Sequence, residues 1–358
     1  MDRLLILAIN PGSTSTKVAV YERSKQLFQK DIPHSADDLA PYPKITDQFE
    51  FRKNIILENL EQAGIILKDI RIIVGRGGLL KPVPSGIYEV NELMKEDLRD
   101  SPWGEHASNL GGLIADDLAH HIGDAKAYIA DPVVVDEFEE VARYSGHPLL
   151  PRKSIFHALN QKAIARHHAS TQNKKYEEMN LIVVHMGGGI TVGAHKKGQV
   201  VDVNNGLDGD GPFSPERSGT LPTGDLAKLC FSGKYTLAQV KKMIKGKGGY
   251  MAYFGTNNAM EVYEKASKGD REAKRVQEAM VYQVCKEVGG MASVLKGEVD
   301  GILLTGGIAH NQEIVDNIIS ATGYIARVYV YPGEDEMKAL ANNGLLLSKG
   351  FISAKEYK

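Results

Sequence analysis

LLILAINPGSTSTKVAVY, residues 4–21, is the stretch from which the fold is read. An apolar run over 4–9 enters a turn built from Asn10, Pro11, Gly12 and Ser13, and residues 17–21 alternate as a strand does. The pattern predicts a β-hairpin with a polar tip. Gly12, the hydroxyls of Ser13, Thr14, Ser15 and Thr16, and then Lys17 can offer backbone N–H groups, hydroxyl donors and a cation, a set suited to phosphate. The same residues also suit an ordinary solvated turn, because turn chemistry favours Asn, Pro, Gly and Ser.

Outward from the hairpin, a turn over 22–25 and a third strand over 26–32 complete an antiparallel meander. Helical spacing over 49–64 (Phe51, Ile55, Leu60, Ala63) leads to a β run over 70–74 that ends in Gly75-Arg76-Gly77-Gly78. Residues 93–98 and 107–121 read as helices, and a short strand over 127–130 stops at Asp131-Pro132. Gly146, Pro148 and Pro151 mark the expected domain boundary. After a helix over 154–168, the opening pattern returns: an apolar run over 181–186, the turn Gly187-Gly188-Gly189, an alternating strand over 190–195, and a third strand over 199–203. A late strand over 301–304 runs into Thr305-Gly306-Gly307-Ile308 and a helix starting near Asn311, where glycines let the backbone approach a flat ligand. The last helix, 334–349, carries Met337, Leu340, Ala341 and Leu345 on a face suited to packing back onto the first half.

At 358 residues the chain exceeds what one core usually supports, so two domains are expected, 1–150 with 334–358 returning to it, and 151–333. A net charge of -2 predicts neither a nucleic-acid tract nor a membrane patch, and points to small molecules or copies of the same chain as partners, hence a homo-oligomer. Residues 241–247, rich in lysine, read as a solvated loop. Cys230 and Cys285, far apart, fit a reducing cytoplasm and read as core fillers, and no apolar run is long enough for a signal sequence or membrane span.

One glycine hairpin per half and a glycine strand-to-helix turn together predict a nucleotide site. The sequence has no G-x-x-x-x-G-K-[ST] loop, no protein-kinase motif set and no G-x-G-x-x-G after its first strand, which leaves the actin, hexokinase and sugar-kinase type of ATP cleft. INPGSTSTK (9–17), Arg76-Gly77-Gly78, His106, Asp131, Phe156-His157, HMGGG (185–189), PERSG (215–219), TGGIAHN (305–311) and PGEDE (332–336) occur in the order seen in acetate and butyrate kinases. Over nearly its whole length the chain resembles that family, its butyrate branch most closely. The resemblance implies an α/β fold of two actin-like, ribonuclease H-like domains with an ATP cleft between them. It also implies reversible phosphoryl transfer between ATP and a short-chain fatty acid, giving acyl phosphate and ADP, with Mg2+. Butyrate is the expected acid, with isobutyrate in range. The alternatives are an acetate or propionate kinase, or a non-metabolic actin-like ATP-binding module. Asn10 and His185 stand where many members of the wider class place an acid, which disfavours a water-activating ATPase.

In-line phosphoryl transfer asks mainly for positioning and charge neutralisation, and a carboxylate is already a nucleophile. Arg76 and Arg217 can clamp the acid and the moving phosphoryl through paired N–H donors. By resemblance, His157 contacts that phosphoryl, His106 and His185 line the same cleft, and Asp131 orients an arginine or a metal-bound water. Asn10, Ser13, Ser15 and Lys17 of the first hairpin, Gly187, Gly188 and Gly189 of the second, and Gly306, Gly307 and Asn311 form the nucleotide-binding set. Asn10 and Glu336 are the metal ligands. Related kinases carry an acid and an arginine where this chain has Asn258 and Met260, which implies looser recognition of the nucleoside.

Overall fold

The computed structural model describes residues 4–358. The opening stretch is β1 (Leu5–Pro11) and β2 (Ser15–Glu22), paired antiparallel with Asn10 opposite Lys17. Asn10 and Pro11 close the first strand, so the tip is only Gly12, Ser13 and Thr14, tied by the Gly12 N–H to the Ser15 carbonyl at 2.8 Å. With β3 (Lys25–Pro33), β4 (Ile70–Arg76), β5 (Ile87–Glu89) and β6 (Lys126–Ala130) it forms a six-stranded sheet of order β3-β2-β1-β4-β6-β5. Strands β1, β4 and β6 run parallel.

Helices α1 (Ala36–Leu39), α2 (Phe49–Gln62), α3 (Glu92–Asp100) and α4 (Asn109–Ile122) lie between these strands in sequence. The apolar runs are continuous because both sheet faces are covered. Leu5, Leu7, Ile9 and Ile73 join a core with Leu110, Leu113 and Ile114 of α4. Ile6, Ile72 and Val74 meet Gly344 of the last helix, α12 (Glu336–Ser348). Each such side chain contributes roughly 1.5–3 kcal/mol on full burial.

The second half repeats the plan. In sequence it holds α5 (Ala158–Thr171), β7 (Asn180–Met186), β8 (Ile190–Lys196), β9 (Gln199–Val203), α6 (Thr223–Cys230), α7 (Leu237–Ile244), α8 (Tyr250–Phe254), α9 (Ala259–Ser267), α10 (Arg271–Val294), β10 (Gly301–Gly306), α11 (Gln312–Thr322) and β11 (Val328–Pro332). Its sheet order, β11-β10-β7-β8-β9, reproduces the first sheet with β7, β8, β9, β10 and β11 in the places of β1, β2, β3, β4 and β6. Ile182, Val184, Ile302 and Leu304 pack with α10, and Leu181, Val183 and Leu303 with Ala165 and Ala169 of α5.

The chain divides into two compact units, Met1–Val135 with Asp335–Lys358, and Asp136–Glu334. The division falls ahead of the Gly146 to Pro151 stretch. Residues 136–150, expected with the first half, are bonded into the second, the Glu139 N–H to the Val201 carbonyl at 3.0 Å and Lys162 to the Glu137 carboxylate. Three smaller expectations are corrected. Lys241 and Lys242 lie on α7, solvated but helical. Cys230 is exposed at the end of α6 and Cys285 half-buried, so only the second resembles a core filler. The helix expected from 154 starts at Ala158, with His157 at its N-cap.

Candidate functional site

In each unit the singled-out residues gather at the carboxyl ends of the parallel strands, where ligands bind in open α/β sheets. In the first unit, Asn10 ends β1, Arg76 ends β4 and Asp131 follows β6. Arg76 Nη1 pairs with the Glu336 carboxylate at 3.1 Å and donates to Asn10 Oδ1 at 3.4 Å, and Asn10 Nδ2 donates to Glu336. Asn10 and Glu336, 326 residues apart in sequence, are both buried.

Asp131 is buried and takes an unusual φ of +38°. Its Oδ1 accepts from Ser85 Oγ at 2.6 Å and the Gly86 N–H at 2.9 Å, bonds that hold this conformation. Its neighbour Pro132 packs on Gly77, and Gly78 packs on Asn109 at the start of α4. His106, just before that helix, is half-buried with Nδ1 2.8 Å from Ser108 Oγ.

The first hairpin has a clamp that sequence reasoning missed. Arg52 of α2, fully buried, donates to the Ser15 carbonyl at 2.9 Å, Thr16 Oγ1 at 2.9 Å and the Ser13 carbonyl at 3.4 Å. Burial lowers its pKa to about 10, still far above neutrality, so a cation sits beneath the tip. The available signal was Gln48 one helical turn earlier, whose Oε1 accepts from Arg52 Nε at 3.0 Å. Ser13 is exposed, Ser15 and Lys17 half-buried.

In the second unit the Gly187-Gly188-Gly189 turn joins β7 to β8, closed by the Gly187 N–H on the Gly189 carbonyl at 2.9 Å. Arg217 packs on it so closely that a Cβ at Gly189 would lie 1.8 Å from Nη1. That guanidinium donates to the Gly206 carbonyl, and Gly206 also packs on Thr191, whose hydroxyl is 2.9 Å from His157 Nδ1. Arg217 and His157 therefore converge. The His157 ring stacks on His185, centroids 4.1 Å apart and planes at 25°. His185 Nε2 lies 3.3 Å from the Glu334 carboxylate, which also accepts from Asn160 Nδ2 at 3.2 Å.

Gly306 ends β10 with φ +92° and packs against the Met186 backbone, leaving no room for a side chain. Gly307 is open, and Asn311 caps α11 by accepting from the Ile314 N–H at 3.1 Å. Asn258 caps α9, accepting from the Met260 N–H at 3.0 Å, and the Met260 side chain is exposed. The acidic run divides its labour: Glu334 serves His185 and Asn160, Asp335 caps α12 through the Lys338 N–H at 2.9 Å, and Glu336 holds Arg76 and Asn10.

The acetokinase family model matches residues 142–342. Butyrate kinase 2 of Clostridium acetobutylicum is 55% identical over 353 residues, 99% of this chain and 99% of that protein. The chain belongs to the acetokinase family. Butyrate kinase 1 of the same organism is also 55% identical, over 358 residues and the full length of both chains. Among solved structures of the family's fold, acetate kinase of Porphyromonas gingivalis superposes with a TM-score of 0.77 at 19% identity, covering 96% of this chain and 99% of that one. A propionate kinase from Francisella tularensis gives 0.73 at 20% identity, covering 95% and 98%. Like other acetokinase family members it has the two-domain, actin-like α/β fold. Among the described residues no helix is long and apolar enough to cross a membrane.

Proposed function

We propose that this chain transfers the terminal phosphoryl group of ATP reversibly to the carboxylate of a short-chain fatty acid, with butyrate as the principal acid. The full-length 55% identity to butyrate kinases carries the reading of the acid. The packing of Arg217 on the glycine turn beside His157 supports the chemistry. A carboxylate oxygen of the acid attacks the γ-phosphorus in line, the bond to the bridging oxygen breaks, and ADP leaves with that oxygen.

In the second unit the Gly187-Gly188-Gly189 turn, closed by the Gly187 N–H, holds nucleotide phosphates with the backbone N–H groups of Gly188 and Gly189. Arg217 neutralises charge spreading over the equatorial oxygens and His157 donates a hydrogen bond to it, where such donors are worth most. His185 supports His157 by stacking and is oriented by Glu334. Gly306, Gly307 and Asn311 face the nucleoside. In the first unit the hydroxyls of Ser13, Thr14 and Ser15 at the hairpin tip, with Lys17 beside them and the Arg52 charge beneath, supply further anion donors. Arg76 pairs with the acid carboxylate, Asp131 holds the 85–86 turn next to it, and His106 is the neighbouring donor.

Asn10 and Glu336 fit Mg2+ that arrives on the nucleotide. They offer hard oxygen donors and one buried carboxylate, and Mg2+ in phosphoryl transfer is usually held by one or two carboxylates, waters and substrate phosphates. No group of three or more His, Cys, Asp or Glu among the described residues could cage an ion by itself. The ion, when bound, offsets phosphate charge. Residence in the cytoplasm belongs to the same reading, as does assembly of copies, for which exposed Val141, Tyr144, Leu149 and Leu150 offer apolar surface.

The test is hydroxamate trapping of acyl phosphate with ATP, Mg2+ and straight and branched acids of two to six carbons. Acid-dependent product, highest with butyrate, is expected. ATP consumption with no acid-dependent hydroxamate refutes the proposal.

A further inference from the structure

A chain of polar groups runs inward from His157 within the second unit, and from Gln161 to Tyr176 its direction is set by the groups themselves. Gln161, fully buried on α5, places Nε2 3.0 Å from the Thr191 carbonyl and 2.9 Å from Thr191 Oγ1. A carbonyl can only accept, so the amide nitrogen must face Thr191, and Gln161 Oε1 must face His195 Nε2 at 2.9 Å. That contact requires a hydrogen on His195 Nε2. Complete burial, with the charges of Lys162 and Arg166 nearby, holds the His195 pKa well below the usual value, so the ring is neutral and Nδ1 is a lone pair. The Tyr176 hydroxyl, 2.7 Å away, donates to it. At the other end Thr191 Oγ1 receives the Gln161 N–H at 2.9 Å and lies 2.9 Å from His157 Nδ1, to which its single proton can be donated.

We propose that Gln161 and Thr191 are positioning residues that hold His157 in the neutral tautomer with its hydrogen on Nε2, so that this ring serves the reaction as a hydrogen-bond donor. Nε2 is the nitrogen remote from Thr191. A donor there can meet an oxygen of the transferring phosphoryl group, a role that rests on the phosphotransfer reading, whereas the tautomer itself does not. No proton is transferred in this role; the ring lends a polarised N–H to developing charge. Relays of this kind fix ring orientation and tautomer at other histidine sites, and their loss typically costs about 10–100-fold.

A second observation supports a built path. Gly193 stands in the middle of β8, where glycine is a poor strand former. A Cβ at this position would lie 2.5 Å from Gln161 Oε1 and 3.2 Å from His195 Nε2. The missing side chain is the space through which the relay passes.

The test begins with the unmodified full-length protein, labelled with 15N in its histidine rings and free of ligand. Long-range 1H–15N spectra, with His157 assigned from a His157→Asn variant, should show protonated Nε2 and unprotonated Nδ1. Protonated Nδ1 overturns the proposal whatever the activity. Thr191→Val should lose that signature and lower kcat for acyl hydroxamate formation about 10–100-fold with KM for ATP and acid within about threefold, while Thr191→Ser restores both. A folded Thr191→Val protein that keeps the wild-type tautomer and kcat overturns it as well. Should Thr191→Val not fold, the wild-type spectrum alone decides the tautomer. Wild-type protein that shows the expected tautomer but makes no acyl phosphate refutes the phosphotransfer reading and leaves the relay standing.

Discussion

Gly189→Ala is the sharpest probe of the arginine in the second glycine turn. The backbone conformation is no obstacle, because Gly189 is not among the positive-φ glycines. The obstacle is Arg217: the new Cβ would sit 1.8 Å from Nη1 and 2.3 Å from Cζ, whereas ordinary contact begins near 3.4 Å, so the guanidinium must retreat by about 1.6 Å. The retreat pulls Nη1 off the Gly206 carbonyl, a charge-assisted bond whose loss costs roughly 1.5–3 kcal/mol of stability. Misplacement of a reacting group by about 1 Å can cost about 100-fold in rate, so kcat should fall by about that factor or more. The KM for ATP should change far less, because the backbone donors of the turn remain. Steady-state hydroxamate kinetics with butyrate, alongside thermal melts, provide the assay. Gly289→Ala on α10, where nothing lies within 4 Å, is the control; it should keep full activity and gain about 0.8 kcal/mol. If Gly189→Ala is folded and turns over at the wild-type rate, the placement of Arg217 at the reacting centre is refuted.

Three further outcomes follow from named contacts. Arg217→Ala should lower kcat on the order of 100-fold or more with a much smaller change in ATP affinity; near wild-type turnover with every acid removes this arginine from the chemistry. Glu336→Gln should raise the Mg2+ concentration for half-maximal rate, since a neutral amide is a poorer ligand for a hard cation, whereas Glu334→Gln should lower kcat through His185 without that shift; the reverse pattern exchanges the two assignments. Burial, with Asp210 and Asp202 nearby, pushes Glu287 on α10 up to about 7 from 4.5. The folded state thus keeps a proton that the unfolded state releases, and stability present below the lower value is lost as pH rises through the higher one. Glu287→Gln should therefore gain on the order of 2–3 kcal/mol over wild type at about pH 8 and little at about pH 4; equal melting shifts at both pH values contradict this.

Several elements were legible because their signals are local. Both meanders, the two glycine hairpins and the Gly306 turn are written as apolar runs interrupted by turn residues, and the strand bounds lie within a few residues of those expected. Other elements were not legible for equally physical reasons. β5 is three residues long and owes its place to pairing with β6 and to the C-terminal tail, where the Lys355 N–H reaches the Ile87 carbonyl at 2.8 Å. β11 has no alternation, since its residues are all half-buried or exposed. The sequence places His157 within a helix, but its backbone is non-helical and it precedes the first turn of α5.

By itself the sequence determined the doubled meander, the family and the residue types of the site, because hydrophobic period, turn chemistry and motif order are properties of neighbours along the chain. Only the tertiary structure decided how those residues are used. Three adjacent acids, Glu334, Asp335 and Glu336, go to a histidine, a helix end and an arginine, since the chain passes from one compact unit to the other between the first two and starts α12 at the third. Arg52 became the clamp of the first hairpin, and Gln161 the link between Thr191 and His195, through contacts spanning thirty residues or more. Partners at that separation are chosen by packing, and a charge or amide taken out of water must find whatever partner the packing brings to it.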